Sequence, residues 1–163
     1  MKKLENFWFY HKYHLLVGMA VLAVLLWLGF QRFAAPEPDY HIGIVRALPL
    51  REEELAALES RFTAAGEDRN GDGQVLVQLH TYYVSLAGAS GNADEDTVQA
   101  VSALDADLIG RVSGIFLTED PAAFQTVTDG LLAEPAAEFD LGLHMALRKD
   151  AEPAYDALFQ KLS

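Results

Sequence analysis

The hydrophobic pattern begins with one long apolar run, residues 15–30, which contains no charged side chain. As a helix, this run is about 24 Å long, and the aromatic residues that precede it extend the apolar length toward the roughly 30 Å of a bilayer core. Three lysines precede the run, whereas one arginine follows it closely. The positive-inside rule therefore predicts a cytoplasmic N-terminus and a single-pass membrane anchor within residues 1–33, with the remainder outside the cytoplasm.

A cleaved secretory signal peptide is the alternative interpretation of the same run. Signal peptides have a shorter apolar region that ends at a cleavage site with small residues. The nearest sites, Arg32-Phe33-Ala34 and Phe33-Ala34-Ala35, have a bulky residue at the outer recognition position and are followed by Pro36. These features favour a retained anchor over a cleaved one.

After a proline-containing spacer at residues 34–39, apolar runs of strand length alternate with stretches of helical periodicity. Strands are predicted at residues 40–46, 75–84, 114–118 and 141–147. Helices are predicted after Pro49, after Asp94 or Asp96, at Asp120-Pro121 and at residues 153–162. The second helix is expected to face inward through Val98, Val101, Leu104 and Leu108. This alternation predicts an α/β domain over residues 40–163, with a mostly parallel four-stranded sheet and helices on both faces.

Charge and cysteine content narrow the classes of function. Beyond residue 33 the chain has 8 basic and 23 acidic residues, a net charge of −15. Such a surface repels phosphate backbones, so we expect no nucleic-acid partner. The chain has no cysteine, which excludes disulfides, thiolate metal sites, a cysteine nucleophile and a lipidated cysteine.

The sharpest local motif is the acidic turn at residues 68–73 (DRNGDG). Its oxygen-bearing side chains match positions 1, 3 and 5 of an EF-hand calcium loop, with glycine at position 6. We predict a possible structural Ca²⁺ site formed by Asp68, Asn70, Asp72 and the carbonyl of Gln74. The twelfth position, however, is Leu79, where an EF-hand has glutamate. The alternative is that the glycines simply supply a tight turn before the second strand.

Parallel strands bring their carboxyl ends to one edge of the sheet, where ligands of α/β proteins usually bind. The residues at these strand ends are predicted to form the ligand or partner edge: Arg46, Ser85, Thr118, Glu119 and Asp120. Glu119 and Asp120 are also candidates for an acid and base pair. Asp120 has a second explanation, because an aspartate before a proline is a typical helix cap.

Few residues of the sequence match the pattern of a known catalytic or metal site. His41, His80 and His144 each lie in a predicted strand and are the candidates for a three-histidine metal site. The sequence contains no nucleophile elbow, zinc-protease helix or phosphate-binding loop. We therefore expect no enzymatic activity and no cofactor apart from the Ca²⁺ predicted at the acidic turn.

The order of elements resembles the first lobe of extracellular solute-binding proteins over residues 40–124. The resemblance is carried by the acidic turn, by residues 104–108 (LDADL) with Gly110, and by residues 115–120. The N-terminal FWFYHKYHLLVG is similar to the anchor of small uncharacterised membrane proteins of Gram-positive anaerobes. The resemblance implies ligand binding at the cleft edge. A solute-binding protein closes two lobes over its ligand, whereas this chain supplies one lobe.

Three functions are consistent with these patterns. The first is a non-enzymatic, membrane-anchored binding or interaction module that engages a membrane-protein partner or a small solute. The second is the solute-binding component of an ABC-type transporter that acts as a dimer or with a partner subunit. The third is an extracytoplasmic hydrolase that uses Glu119, Asp120 or the histidines.

Overall fold

The computed structural model describes residues 16–28, 36–86, 95–133 and 137–163. Residues 16–28 are helical and exposed, and we label this helix α1. No helix among the described residues is both long enough and apolar enough to cross a membrane. The two ends of the predicted anchor and its cytoplasmic stub lie outside the described residues. The chain divides into two compact units between Pro36 and Glu37.

The second unit alternates strands and helices as the sequence predicts. Its elements are β1 (Tyr40–Arg46), α2 (Glu52–Ala65), β2 (Val77–Tyr83), α3 (Glu95–Gly110), β3 (Ile115–Thr118), α4 (Pro121–Val127), β4 (Ala137–Glu138), a 3₁₀ turn (Asp140–Gly142), β5 (His144–Leu147) and α5 (Pro153–Leu162).

The sheet has the strand order β2-β1-β3-β5-β4. β1 pairs in parallel with both β2 and β3, whereas β5 is antiparallel to β3 and to β4. β1, β2, β3 and β4 therefore run in one direction and only β5 runs in the other, which confirms the prediction of a mostly parallel α/β sheet. The prediction of four strands was wrong, because the two-residue β4 lies in a segment with no strand periodicity. β5 runs backward because only a short turn joins it to β4, and a short turn connects antiparallel strands.

Each face of the sheet is covered by two helices, as predicted. Alternate residues of β1 point to opposite faces. The larger core joins Ile42 and Ile44 to Phe62 of α2 and to residues of α5. The smaller core joins Val45 to Leu104 of α3 and Phe124 of α4. Burial on both faces explains why β1 is apolar along nearly its whole length.

The predicted inner stripe of α3 is only partly correct. Leu104 is buried, but Val98 and Val101 are 54% and 38% exposed. The buried positions of this helix are Leu104 and Asp107, both in its second half. The stripe therefore contacts the sheet over about one helical turn. The next inward-facing position after Leu104 is occupied by the carboxylate of Asp107.

Candidate functional site

A small cavity lies where the three parallel strands end. Its volume is about 200 Å³, and it is lined by Val45, Arg46, Ala47, Val84, Ser85, Leu86, Thr118, Glu119 and Asp120. All five residues predicted for the ligand or partner edge are among them. They come from the ends of three strands that are distant in sequence and from the residues that follow them, so the parallel arrangement of the strands is what assembles the cavity.

The cavity also lies at the topological switch point of the sheet. The chain leaves β1 to form β2 on one side and returns to form β3 on the other side of β1. The loops after β1 and β3 therefore separate and leave a crevice between them. In open α/β sheets this crevice is the usual position of a ligand.

Arg46 and Glu119 span the cavity edge between β1 and β3. Nε of Arg46 donates to Oε1 of Glu119 at 3.1 Å, and an Nη2 atom lies 3.0 Å from the same oxygen. The backbone N–H of Ala47 donates to Oε2 of Glu119 at 3.3 Å. The arginine side chain is 16% exposed and that of Glu119 is 40% exposed. Both carboxylate oxygens are thus engaged within the protein.

Hydrogen bonds of Thr118 and Asp120 fix the backbone conformation where β3 ends and α4 begins. Thr118 is fully buried, and its Oγ1 accepts a hydrogen bond from the N–H of Asp120 at 3.3 Å. Oδ1 of Asp120 accepts from the N–H of Ala123 at 2.9 Å, so Asp120 is the N-cap of α4. Ser85, two residues after the end of β2, is exposed.

An exposed apolar side chain stands beside this cavity. Leu48, in the loop after β1, is 67% exposed and directly follows the cavity residue Ala47. Large exposed apolar residues are common on protein surfaces, but those next to a cleft are candidate contacts for a partner. Leu48 belongs to residues 46–48, which the order of strands along the sequence already predicts to lie at this edge.

The acidic turn is closed by its own hydrogen bonds. The two carboxylate oxygens of Asp68 accept from the N–H groups of Gly71 and Gly73 at 2.7 and 2.8 Å. Oδ1 of Asn70 accepts a hydrogen bond from the backbone N–H of Asp72 at 2.9 Å, and Oδ1 of Asp72 accepts one from the backbone N–H of Gln74 at 2.8 Å. Gly71 and Gly73 have φ angles of 77° and 85°, as a tight turn requires.

This geometry agrees with the turn interpretation of residues 68–73, and calcium binding stays a prediction. Within the part of the chain that the structure describes, no group of three or more His, Cys, Asp or Glu side chains is arranged to hold a metal ion.

Sequence reasoning missed Asp39, which it assigned to the spacer. Asp39 is 3% exposed, and its carboxylate accepts from the N–H groups of Arg69, Asn70 and Leu76 at 2.7, 3.1 and 2.8 Å. Burial alone raises the pKa of Asp39, but the three backbone donors and the Arg69 guanidinium outweigh burial and lower this pKa. Asp39 thereby fastens the acidic turn to the start of β1.

The three histidines do not form one site. Nδ1 of His41 lies 3.0 Å from Nε2 of His80, with the two rings stacked. His144 lies on β5, where it pairs with Thr118 near the opposite edge of the sheet. Burial and the neighbouring His80 lower the pKa of His41. The hypothesis of a three-histidine metal site is therefore wrong.

Asp107, within the LDADL segment, has a structural role. Its carboxylate accepts from Tyr82 Oη at 2.5 Å, from Ser113 Oγ at 2.6 Å and from the Ser113 N–H at 2.8 Å. Burial and the adjacent carboxylate raise the pKa of Tyr82. These bonds tie α3 to β2 and to the residues before β3.

Comparison with protein-family models, curated proteins and solved structures finds no match to this chain. The resemblance to one lobe of solute-binding proteins therefore stays a prediction.

Proposed function

We propose that this protein is a membrane-anchored, extracytoplasmic binding module, without enzymatic activity, that contacts a membrane-protein partner at the carboxyl edge of its parallel strands. The observation that carries the proposal is the cavity at the topological switch point, which gathers Arg46, Ser85, Thr118, Glu119 and Asp120 from the ends of three strands. Leu48 supplies an exposed apolar contact beside it.

The predicted anchor and spacer support a partner in the same membrane. The predicted spacer, residues 34–39, reaches about 20 Å when fully extended, and its reach is shorter in the folded protein because Asp39 at its end is buried and hydrogen-bonded within the domain. A domain held this close to a bilayer meets other membrane proteins more readily than it meets dilute solutes. Its net charge of −15 beyond residue 33 favours a partner surface that carries basic residues.

The hydrogen bonds at the cavity support binding rather than hydrolysis. Both oxygens of Glu119 accept hydrogen bonds, and Asp120 caps α4. A general acid or base must reach the substrate proton directly or through one water. The two carboxylates that the hydrolase hypothesis uses already make structural hydrogen bonds, which fits binding at this edge better than proton transfer.

A solute-binding component of a transporter is the second candidate, and the position of the cavity at the switch point favours it. The cavity of about 200 Å³ is smaller than typical small-molecule sites, which are roughly 300–1,000 Å³. This function therefore needs a second wall, from a second copy or a partner subunit. The mass of the full chain in detergent tests the first of these two arrangements, since a stable dimer supports a second copy as the other wall and a monomer leaves only a partner subunit.

Photo-crosslinking in membranes of the native host tests the proposal. A photoreactive amino acid replaces Leu48, and in a control protein it replaces Glu59, which is exposed on α2. We expect a discrete adduct with a membrane protein from position 48 and none of that size from position 59. The proposal fails if position 48 gives no adduct or if both positions give the same adducts.

A further inference from the structure

A groove lies between α2 and the 3₁₀ turn that precedes β5, and we call it the α2 groove. Its volume is about 400 Å³, and it is lined by Glu53, Glu54, Ala57, Leu58, Asp140 and Leu141. Its α2 residues belong to the first two turns of that helix, which follows β1 after a short loop. The 3₁₀ turn leads into β5, whose first residue, His144, pairs with Thr118 of the cavity at the carboxyl edge. The α2 groove therefore lies at this same edge of the sheet.

The exposed Leu48 lies along the chain between the two cavities. Ala47 lines the cavity at the carboxyl edge, and Glu54 lines the α2 groove. Hydrogen bonds from Arg51 lower the pKa of Glu54, and the charge of Arg46 adds to this lowering. A side chain of the first cavity is thus close enough to act on a side chain of the second. The two cavities and Leu48 form neighbouring parts of one surface.

Leu141 is held at the α2 groove in a strained backbone conformation. Its φ and ψ angles are 61° and 24°, and the residue is 45% exposed. The left-handed region is uncommon for residues other than glycine, asparagine and aspartate. A half-exposed leucine gains little from packing within the domain, so the fold alone does not account for a leucine here. Strained residues cluster at binding sites, and contact with a partner would account for this one.

The α2 groove combines apolar and acidic side chains. Leu58 is buried and Ala57 is exposed, so the two residues supply an apolar surface on α2 opposite Leu141 of the 3₁₀ turn. The charged residues that line the groove are all carboxylates: Glu53, Glu54 and Asp140. An apolar group with a positive charge beside it is the chemistry that complements such a lining.

The arginines near these carboxylates reduce the negative charge without cancelling it. Residues 51–54 carry one guanidinium and three carboxylates, and the ion pair of Arg61 with Asp140 adds one of each. An excess of two negative charges remains. The Arg51 side chain is 71% exposed where it pairs with the glutamates. Exposed ion pairs are weak, so a cation from a partner can share or replace them.

We propose that the α2 groove binds a segment of the partner protein in which an apolar side chain is flanked by lysine or arginine. The apolar side chain packs on Ala57, Leu58 and Leu141, and the cation lies against Glu53 and Asp140. This inference rests on the proposed function, since the same partner contacts Leu48. It adds a second contact region and the chemistry of the segment that fills it.

Photo-crosslinking from the α2 groove in membranes of the native host tests the location. The photoreactive amino acid replaces Ala57, and in a control protein it replaces Ser60, which is exposed on α2 but does not line the groove. We expect position 57 to give an adduct of the same size as position 48, and position 60 to give none. An adduct from position 48 with none from position 57 overturns the inference and leaves the proposed function standing.

Two charge reversals matched in position test the chemistry of the segment. Glu52 and Glu53 are both exposed in the first turn of α2, but only Glu53 lines the groove. Glu53→Lys should lower the adduct yield from position 57 at least about tenfold through repulsion of the flanking cation. Glu52→Lys should leave the yield unchanged. An equal loss in the two proteins, or no loss in either, overturns the inference.

Leu141→Asn separates a role in binding from a role in the fold. Asparagine adopts the left-handed conformation more readily than leucine does. We therefore expect a melting temperature that is unchanged or higher, together with a lower adduct yield from position 57. A lower melting temperature with an unchanged yield would show that Leu141 serves only the fold, and it would overturn the inference.

Discussion

The carboxylate of Glu119, at the end of β3, accepts from both the Arg46 side chain and the Ala47 N–H at the end of β1. This bridge joins two parallel strands at their carboxyl ends, where the sheet opens at its switch point. The same carboxylate remains 40% exposed. It can therefore hold the cavity together and still contact a partner.

Replacing Glu119 should affect stability only slightly. Glu119→Gln removes the ion pair with Arg46 but keeps an oxygen that can accept from the Ala47 N–H. Exposed ion pairs contribute about 0–1 kcal/mol, so we expect a fall in the free energy of unfolding of less than about 1 kcal/mol. Urea unfolding measures this change, with Glu59→Gln on α2 as the control. A loss above about 3 kcal/mol would show that Glu119 is mainly a structural residue.

Asp39→Asn should lower the free energy of unfolding of the domain by about 1–3 kcal/mol at neutral pH. The two carboxylate oxygens of Asp39 accept hydrogen bonds from three backbone N–H groups, whereas the amide of asparagine has only one oxygen that can accept. The pKa of Asp39 is lowered in the folded protein. Its stabilisation is therefore present above the unfolded value of about 3.9 and is lost as the pH falls below it.

Unfolding free energies measured from pH 7 to pH 3 test this pH dependence. Below about pH 4, the difference between the wild type and Asp39→Asn should shrink. Asp156→Asn, exposed on α5, is the control and should match the wild type to within about 0.5 kcal/mol. A difference that stays constant across the pH range would contradict the assigned role of Asp39.

His41 should titrate below the ordinary histidine value of about 6.5, because burial and His80 lower its pKa. Protonation of His41 then favours the unfolded state. The stability that neutral His41 contributes is therefore present above about pH 6.5 and is lost as the pH falls through the lowered pKa of His41 in the folded protein. NMR titration of the imidazole protons measures the pKa directly. His80→Gln should raise the pKa of His41, and an unchanged value would mean that His80 does not contribute.

Calcium binding at the acidic turn is tested by the melting temperature. If Asp68, Asn70, Asp72 and Gln74 hold Ca²⁺, excess calcium raises the melting temperature of the full chain, and a chelator reverses the rise. Asp72→Ala should abolish the effect. If calcium leaves the melting curve unchanged, residues 68–73 form only a turn, and Asp72→Ala should then cost about 1 kcal/mol through loss of its bond to the Gln74 N–H.

The elements that sequence reasoning predicted correctly have strong local signals. The continuous apolar run of β1 indicates a strand buried on both faces, and Asp120-Pro121 indicates a helix start. Once the strands are parallel, their carboxyl ends must meet, so Arg46, Thr118 and Glu119 could be grouped without coordinates.

The features that sequence reasoning missed depend on tertiary structure. The two-residue β4 is too short to show periodicity, and the direction of β5 follows from its connection to β4 and not from its composition. Asp39 looked like part of a spacer because its three N–H partners come from a distant loop. The position of Arg148 depends on the reversed direction of β5, which places it beside residues that precede β1 and β3.

The most direct test of the central claim is photo-crosslinking from position 48 in proteins that also carry a charge reversal. Glu119→Arg places a positive charge in the cavity, whereas Glu59→Arg makes the same change on α2, away from it. We predict that the adduct with a membrane protein disappears in the Glu119→Arg protein and persists in the Glu59→Arg protein. An adduct that survives Glu119→Arg at full yield would contradict partner binding at the carboxyl edge of the sheet.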